Sequence, residues 1–198
     1  MSLLLQTLKC SNCGAPLKAK EKDRILYCEH CGSMSLVTKR EVKGVRFNIV
    51  APRGTRTDPV FFIPFWVVNA DVNVRKETIA GGAIRRSLSN QKKISGNTTF
   101  YICASAAMDE ADSRGWNMNL TLEPPKTDRI QPDFRNGTRV PMTMDESTAK
   151  ENAEFIFLRH ETEIPGILQS LDYDFVVRST EVLYLPVYKS NGEYILGA

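Results

Sequence analysis

Residues 10–14 read Cys-Ser-Asn-Cys-Gly, and residues 28–32 read Cys-Glu-His-Cys-Gly. In each stretch two cysteines stand two residues apart, and the following glycine admits the tight backbone that turns both thiols toward one point. Fourteen residues separate the pairs, enough for a short hairpin to bring them together. Four thiolates so placed complete a tetrahedron around Zn²⁺, with zinc–sulfur distances of about 2.3 Å. Cys10, Cys13, Cys28 and Cys31 are therefore the expected ligands of one structural zinc ion per chain. With every coordination position filled by protein, none is left for a substrate or an activated water. A redox dithiol and accidental spacing are the weaker readings. His30, inside the second knuckle, would replace a cysteine only by breaking the symmetric pairing, and is read as solvent-facing.

Working outward, a segment of some thirty residues cannot bury enough apolar surface to fold alone, whereas a structural zinc contributes an apparent ~10–16 kcal/mol. Metal is expected to replace a core here. The segment between the pairs predicts a hairpin of residues 17–20 and 24–27 around the polar turn 21–23. The run Cys10-Ser11-Asn12-Cys13-Gly14-Ala15-Pro16-Leu17, followed by Cys28-Glu29-His30-Cys31-Gly32-Ser33, resembles the zinc-ribbon superfamily, common in transcription, replication and translation proteins. Residues 61–66, 100–106 and 184–188 resemble a little-characterised group of prokaryotic proteins that join a zinc ribbon to a β-rich body; in that group a proline stands where this chain has Cys103. The resemblance implies a metal and a fold but no reaction.

The 198 residues, 42% hydrophobic and 25% charged, have ordinary globular composition with room for one medium domain and a small appendage. The expected class is α+β: a zinc ribbon over 8–40, then a β-rich domain over 41–198 with one or two helices in its C-terminal half. No apolar run approaches the roughly 18–20 residues of a membrane helix; the longest, 59–68 and 182–187, contain proline. No membrane association is expected. The apolar residues at 3–5 are fewer than a secretory signal needs, and five cysteines without such a signal fit a reducing compartment. A cytoplasmic protein is the expectation, so the Asn-x-Thr triplets at 97, 119 and 136 carry no weight as glycosylation acceptors.

Within the body, residues 45–50 alternate as a half-buried strand, and 61–74 form a β-branched and aromatic run. Pro64 inside that run calls for an edge, a bulge or a strand start. Residues 99–106 predict a further strand. Thr148-Ala149-Lys150-Glu151 has the spacing of a capping box, opening a helix with Ala149, Ala153, Ile156, Phe157 and His160 on one face. Pro165 predicts a second, short helix to 171, followed by strands at 175–177 and 182–188. Asn191-Gly192 predicts a hairpin turn into 194–196. Phe62-Ile63-Pro64-Phe65-Trp66 and Tyr184-Leu185-Pro186-Val187-Tyr188 share one pattern of residue classes, which marks either a duplicated β unit or coincidence.

The net charge of +3 is unevenly spread: residues 1–38 sum to +2, 39–93 to +8 and 94–198 to −7. Such asymmetry points to a polyanionic partner, with Lys18, Lys20, Arg24, Arg85, Arg86, Lys92 and Lys93 as contacts, or to a basic half docked on an acidic half. Cys103 and His160 are the spare thiol and the spare imidazole, the obvious nucleophilic pair. Apolar neighbours around Cys103 and the helical packing face of His160 favour structural roles, and no catalytic residue is assigned. Asp109, Glu110 and Asp112 lack the spacing of a calcium loop and read as a helix cap with an acidic first turn. These residues favour a non-enzymatic interaction or adaptor module with a protein partner. Nucleic-acid binding is the alternative, and an enzyme with an unrecognised site is third.

Overall fold

The computed structural model describes residues 8–18, 23–37, 42–54, 56–81, 92–190 and 193–198. In chain order its strands are β1 (Ile25–Tyr27), β2 (Met34–Val37), β3 (Val42–Val45), β4 (Phe47–Val50), β5 (Val60–Ala80), β6 (Gly96–Cys103), β7 (Ile130–Gln131), β8 (Thr138–Arg139), β9 (Ile167–Ser190) and β10 (Glu193–Leu196). Two helices, α1 (Glu110–Leu122) and α2 (Glu146–Glu163), complete the described elements. A small antiparallel sheet of order β1-β2-β3 carries the cysteine cluster, and a larger sheet of order β6-β5-β9-β4-β7 forms the body.

Alternation along the small sheet divides its side chains between two interiors. Ile25, Met34, Tyr27 and Leu36 face the body's core, whereas Leu26, Val37 and Val42 pack with Cys10, Leu17 and Cys28. The predicted strand over 45–50 is broken at Arg46, because its two halves serve different sheets: β3 pairs with β2, and β4 runs parallel to β9. The hairpin partner of residues 25–27 is β2, across the second knuckle, while Leu17 N–H donates to Leu8 O (2.8 Å); of the expected 17–20 arm and 21–23 turn, residues 19–22 lie outside the described residues.

The body is organised by the β5·β9 ladder. Ile63 pairs with Leu185, Phe62 with Pro186 and Pro64 with Tyr184. A local two-fold axis through the Ile63/Leu185 pair therefore carries one repeated motif onto the other. The flanks obey the same operation. The outer edge of β5 meets β8 in parallel at Phe61 and Phe62, then β6 antiparallel from Phe65; the outer edge of β9 meets β4 in parallel at 182–184, then β10 antiparallel from Val187. Each long strand thus has its own return strand, and the short strands are exchanged. This junction also explains how proline fits a central strand. Pro64 O accepts from Ala104 N–H (2.9 Å), and Pro186 O from Gly197 N–H (2.8 Å), both where one outer neighbour ends and the other begins. The missing N–H faces that gap, so no ladder bond is lost.

The two faces of the sheet carry separate cores. Phe62, Trp66, Val68, Phe100, Ile102 and Tyr184 pack beneath α2 and the small sheet, while Ile63, Phe65, Val67, Cys103, Leu183 and Leu185 pack on the other face with Leu120 of α1. The buried side of α2 includes Ala149, Ala153, Ile156, Phe157 and His160, with Glu161 added. The helix begins before the Thr148 box, at Glu146, because Asp145 is the N-cap and its carboxylate accepts from Thr148 N–H at 2.9 Å. α1 opens in the same way, Asp109 accepting from Asp112 N–H at 2.8 Å with Glu110 and Asp112 in the first turn.

The predicted helix from Pro165 to 171 is instead the start of β9. Gly166 at φ 122° ends any helical path, and Ile167, Leu168 and Leu171 join the ladder opposite Ala80, Ile79 and Glu77. The separate strands expected at 175–177 and 182–188 are parts of this one strand of 24 residues. β10 pairs with β9 from Glu193↔Ser190 onward, while the Asn191-Gly192 turn lies outside the described residues.

Candidate metal centre

Each knuckle folds on its own backbone. Gly14 N–H donates to Cys10 O (2.9 Å) and Gly32 N–H to Cys28 O (2.8 Å); Cys10 N–H and Cys28 N–H reach forward to Ala15 O and Ser33 O, each at 2.8 Å. Both glycines lie at positive φ, 74° and 73°, a conformation that a β-carbon would strain. The knuckles face one another. Cys10 Sγ is 3.7 Å from Cys31 Sγ, Cys13 Sγ is 3.7 Å from Cys28 Sγ, and all four sulfurs lie within 4.8 Å of one another. Thiolates 2.3 Å from a central ion at tetrahedral angles are about 3.8 Å apart. The set can therefore hold a metal ion in four-coordinate sulfur geometry.

Hydrogen bonds prepare the sulfurs for that role. Ser33 Oγ lies 3.1 Å from Cys10 Sγ and 3.0 Å from Cys31 Sγ, Asn12 N–H donates to Cys10 Sγ (3.4 Å), and Asn12 Nδ2 to Cys31 Sγ (3.6 Å). Led by Ser33, these bonds push the Cys31 thiol down to about 5. At Cys13 the Ala15 amide favours the thiolate but is outweighed by the neighbouring thiols and by burial, which push it up to about 12. Four adjacent thiolates do not coexist without a cation to offset their charge. The sequence marks the four cysteines; it did not mark Ser33 and Asn12, whose roles depend on being brought across from the opposite knuckle.

A mostly buried junction ties the centre to the body. Ile25 bridges to Met142, and Arg24 N–H donates to Met142 O at 2.9 Å. The side chain of Asp23 is 1% exposed and faces Arg139, 20% exposed, at 3.9 Å. The Tyr27 ring meets Phe47 and Phe134 edge-on. Burial pushes Tyr184 beneath this junction up to about 12, with the Arg139 guanidinium acting in the opposite sense.

The other candidates are dispersed. Lys18 is exposed and paired with Glu29 at 3.2 Å. Arg24 is exposed and lies near enough to Asp145 to lower that carboxyl. Lys92 donates to Leu122 O at the C-terminal end of α1 (2.8 Å), and Lys93 is exposed. Lys20, Arg85 and Arg86 lie outside the described residues. Arg53 pairs with Asp128, and Arg75 with Asp172 and Asp174. Part of the basic middle segment is thus matched against the acidic C-terminal segment.

Cys103 is 3% exposed, its thiol pushed up by burial, and its polar neighbours are Asn117, Ser105, Ser113 and Met108. His160 is also 3% exposed, with Glu161 Oε1 3.6 Å from Nδ1. Among the described residues no hydrogen bond or ion pair joins Cys103 to His160. No helix among them is long and apolar enough to cross a membrane. No protein-family model, curated protein or solved structure matches the chain.

Proposed function

We propose that this protein is a zinc-stabilised, non-enzymatic interaction module whose partner is another protein. The observation that carries the reading is the closed set of four thiols on a sheet whose opposite face belongs to the body's core. An ion so placed stabilises a surface and leaves no coordination position for chemistry. Zinc is the metal because four sulfur ligands at tetrahedral spacing suit it, and a folded unit this small requires it. The knuckle tips at 11–14 and 29–31 are exposed, so the metal presents them as a rigid outer surface. That surface carries both signs of charge, Lys18 standing against Glu29, which favours a protein over a polyanion.

The expected result is about one equivalent of zinc per chain. Crosslinking in the native cell should place a protein partner against the two knuckle tips. Turnover of a small substrate that is lost in Cys103→Ala would overturn the reading. The second reading, nucleic-acid binding, rests on the +8 charge of residues 39–93. It requires a mobility shift that weakens steeply with salt and with neutralisation of Arg85, Arg86, Lys92 and Lys93.

A further inference from the structure

A cavity of about 610 Å³ opens between α1, α2 and the end of β6, within the range of small-molecule sites. Its lining includes a thiol and two polar side chains on residues less than a tenth exposed: Cys103 at 3%, Asn117 at 6% and Ser105 at 8%. Asn117 Oδ1 accepts from Cys103 N–H at 2.7 Å, which fixes the amide's orientation. Its Nδ2 then remains a donor with no partner among the described residues. Ser105 Oγ already accepts from Ala107 N–H at 3.2 Å, leaving its hydroxyl proton to donate. Arg114, also lining the cavity, meets Glu110 Oε1 through Nη2 (3.1 Å) and Glu110 O through Nε (3.3 Å), so Nη1 stays available. Met108, Met144, Phe155 and Ile156 add apolar surface, and Phe155 is 53% exposed although it is large and aromatic.

A donor that faces a cavity and has no protein partner is open to a ligand's acceptor. Asn117, Ser105 and Arg114 thus offer three donors to the cavity, and Glu110, the carboxylate in its lining, is engaged by Arg114 through Oε1. We propose that this cavity binds a small amphipathic carboxylate, its oxygens taking the Asn117, Ser105 and Arg114 donors and its apolar body lying against Met108, Met144 and Phe155. Binding is non-covalent. Cys103 stays a neutral thiol at the floor and contributes shape.

The test is calorimetric titration of the zinc-loaded full chain with octanoate, benzoate and octylamine. Tryptophan emission gives a second readout, because Trp66 Nε1 donates to Met144 O at 3.0 Å beside the cavity. The acids should bind and the amine should not. Asn117→Asp retains an oxygen for Cys103 N–H and the same volume, but it replaces the free donor with a like charge. It should weaken octanoate by about tenfold or more, and Arg114→Gln by several-fold. Ser105→Ala, which removes one donor, serves as a second variant should Asn117→Asp fail to fold, and it should weaken octanoate too. The proposal is overturned if neither acid binds at millimolar concentration, if octylamine binds equally well, or if the folded variants keep the parent affinity.

Discussion

Ile25 and Leu26 are neighbours in β1, yet they belong to interiors of different kinds. Ile25 joins a core that runs through β5, β6, β9 and α2; Leu26 joins a cluster whose other fully buried members are Cys10, Leu17 and Cys28. On the first side, burial of apolar area supplies the stability. On the second there is too little area, and a metal ion held by the four cysteines would supply the cohesion. One strand therefore stands between a hydrophobic interior and a cysteine-lined one. The two interiors thus share a single layer of backbone.

The strongest way to break the contrast is to take the metal away. Chelation, or Cys28→Ser, should cost the small sheet most of the ~10–16 kcal/mol apparent contribution of a structural zinc, with loss of hydrogen-exchange protection at β1 and β2. Because Ile25 and Met34 cover the body's core, the body's melting temperature should fall as well. If the body melts unchanged, the two interiors are independent. The reverse experiment is smaller. Met34 is 1% exposed on the body side, and Met34→Ala should cost about 2–5 kcal/mol by denaturant unfolding while the chain keeps one zinc. Leu26→Ala should act on the other side, as faster zinc loss to a competing chelator.

How far each interior was legible follows from the distance over which its determinants act. The knuckles were readable because two cysteines and a glycine within five residues set their own geometry. The core face of α2 was readable for the same reason, as Ala149, Ala153, Ile156 and Phe157 repeat at helical spacing. Its start was misplaced by a residue pair, because Asp145 holds the Thr148 amide and so displaces a Thr148 cap. The ladder was not readable. Pro64 is admissible in a central strand only because β8 ends and β6 begins beside it, and Pro165 leads into a strand and not a helix because Ile167 pairs with Ala80. The repeated motif was visible in the sequence, but that its copies are two-fold partners depends on a register set by chain ends far apart. The donors of the cavity were hidden likewise, since only the fold shows which amide group already has a partner.

Acidity sharpens the comparison on the metal side. Hydrogen bonds led by Ser33 push Cys31 down to about 5, while at Cys13 the Ala15 amide is outweighed by the neighbouring thiols and burial, which push it up to about 12. Metal coordination at neutral pH would therefore displace at least one proton. Zinc affinity should then fall as pH falls, by about tenfold per pH unit for each proton displaced. A competition titration between pH 6 and 8 measures the slope, and a flat response would mean that the sulfurs are not the ligands.

The smallest effect belongs to the body, at the cap of α2. The Thr148 amide, first among its causes, holds the Asp145 carboxyl below the usual carboxylate range, with Arg24 of the small sheet a lesser contributor. A folded-state pKa lowered in this way gives stability that is present above the ordinary carboxylate range and lost as pH falls through the lowered value. Asp145→Ala should cost about 0.5–2 kcal/mol at neutral pH, shrinking toward nothing in acid, with zinc content unchanged. Asp145→Asn keeps a capping oxygen but cannot titrate, so it should recover most of that loss and flatten the acid limb of the stability profile. Removal of zinc adds the last discrimination. If the small sheet holds Arg24 in place, the apo protein should lose part of the advantage of aspartate over asparagine at 145; if the two interiors stand apart, that advantage should survive chelation intact.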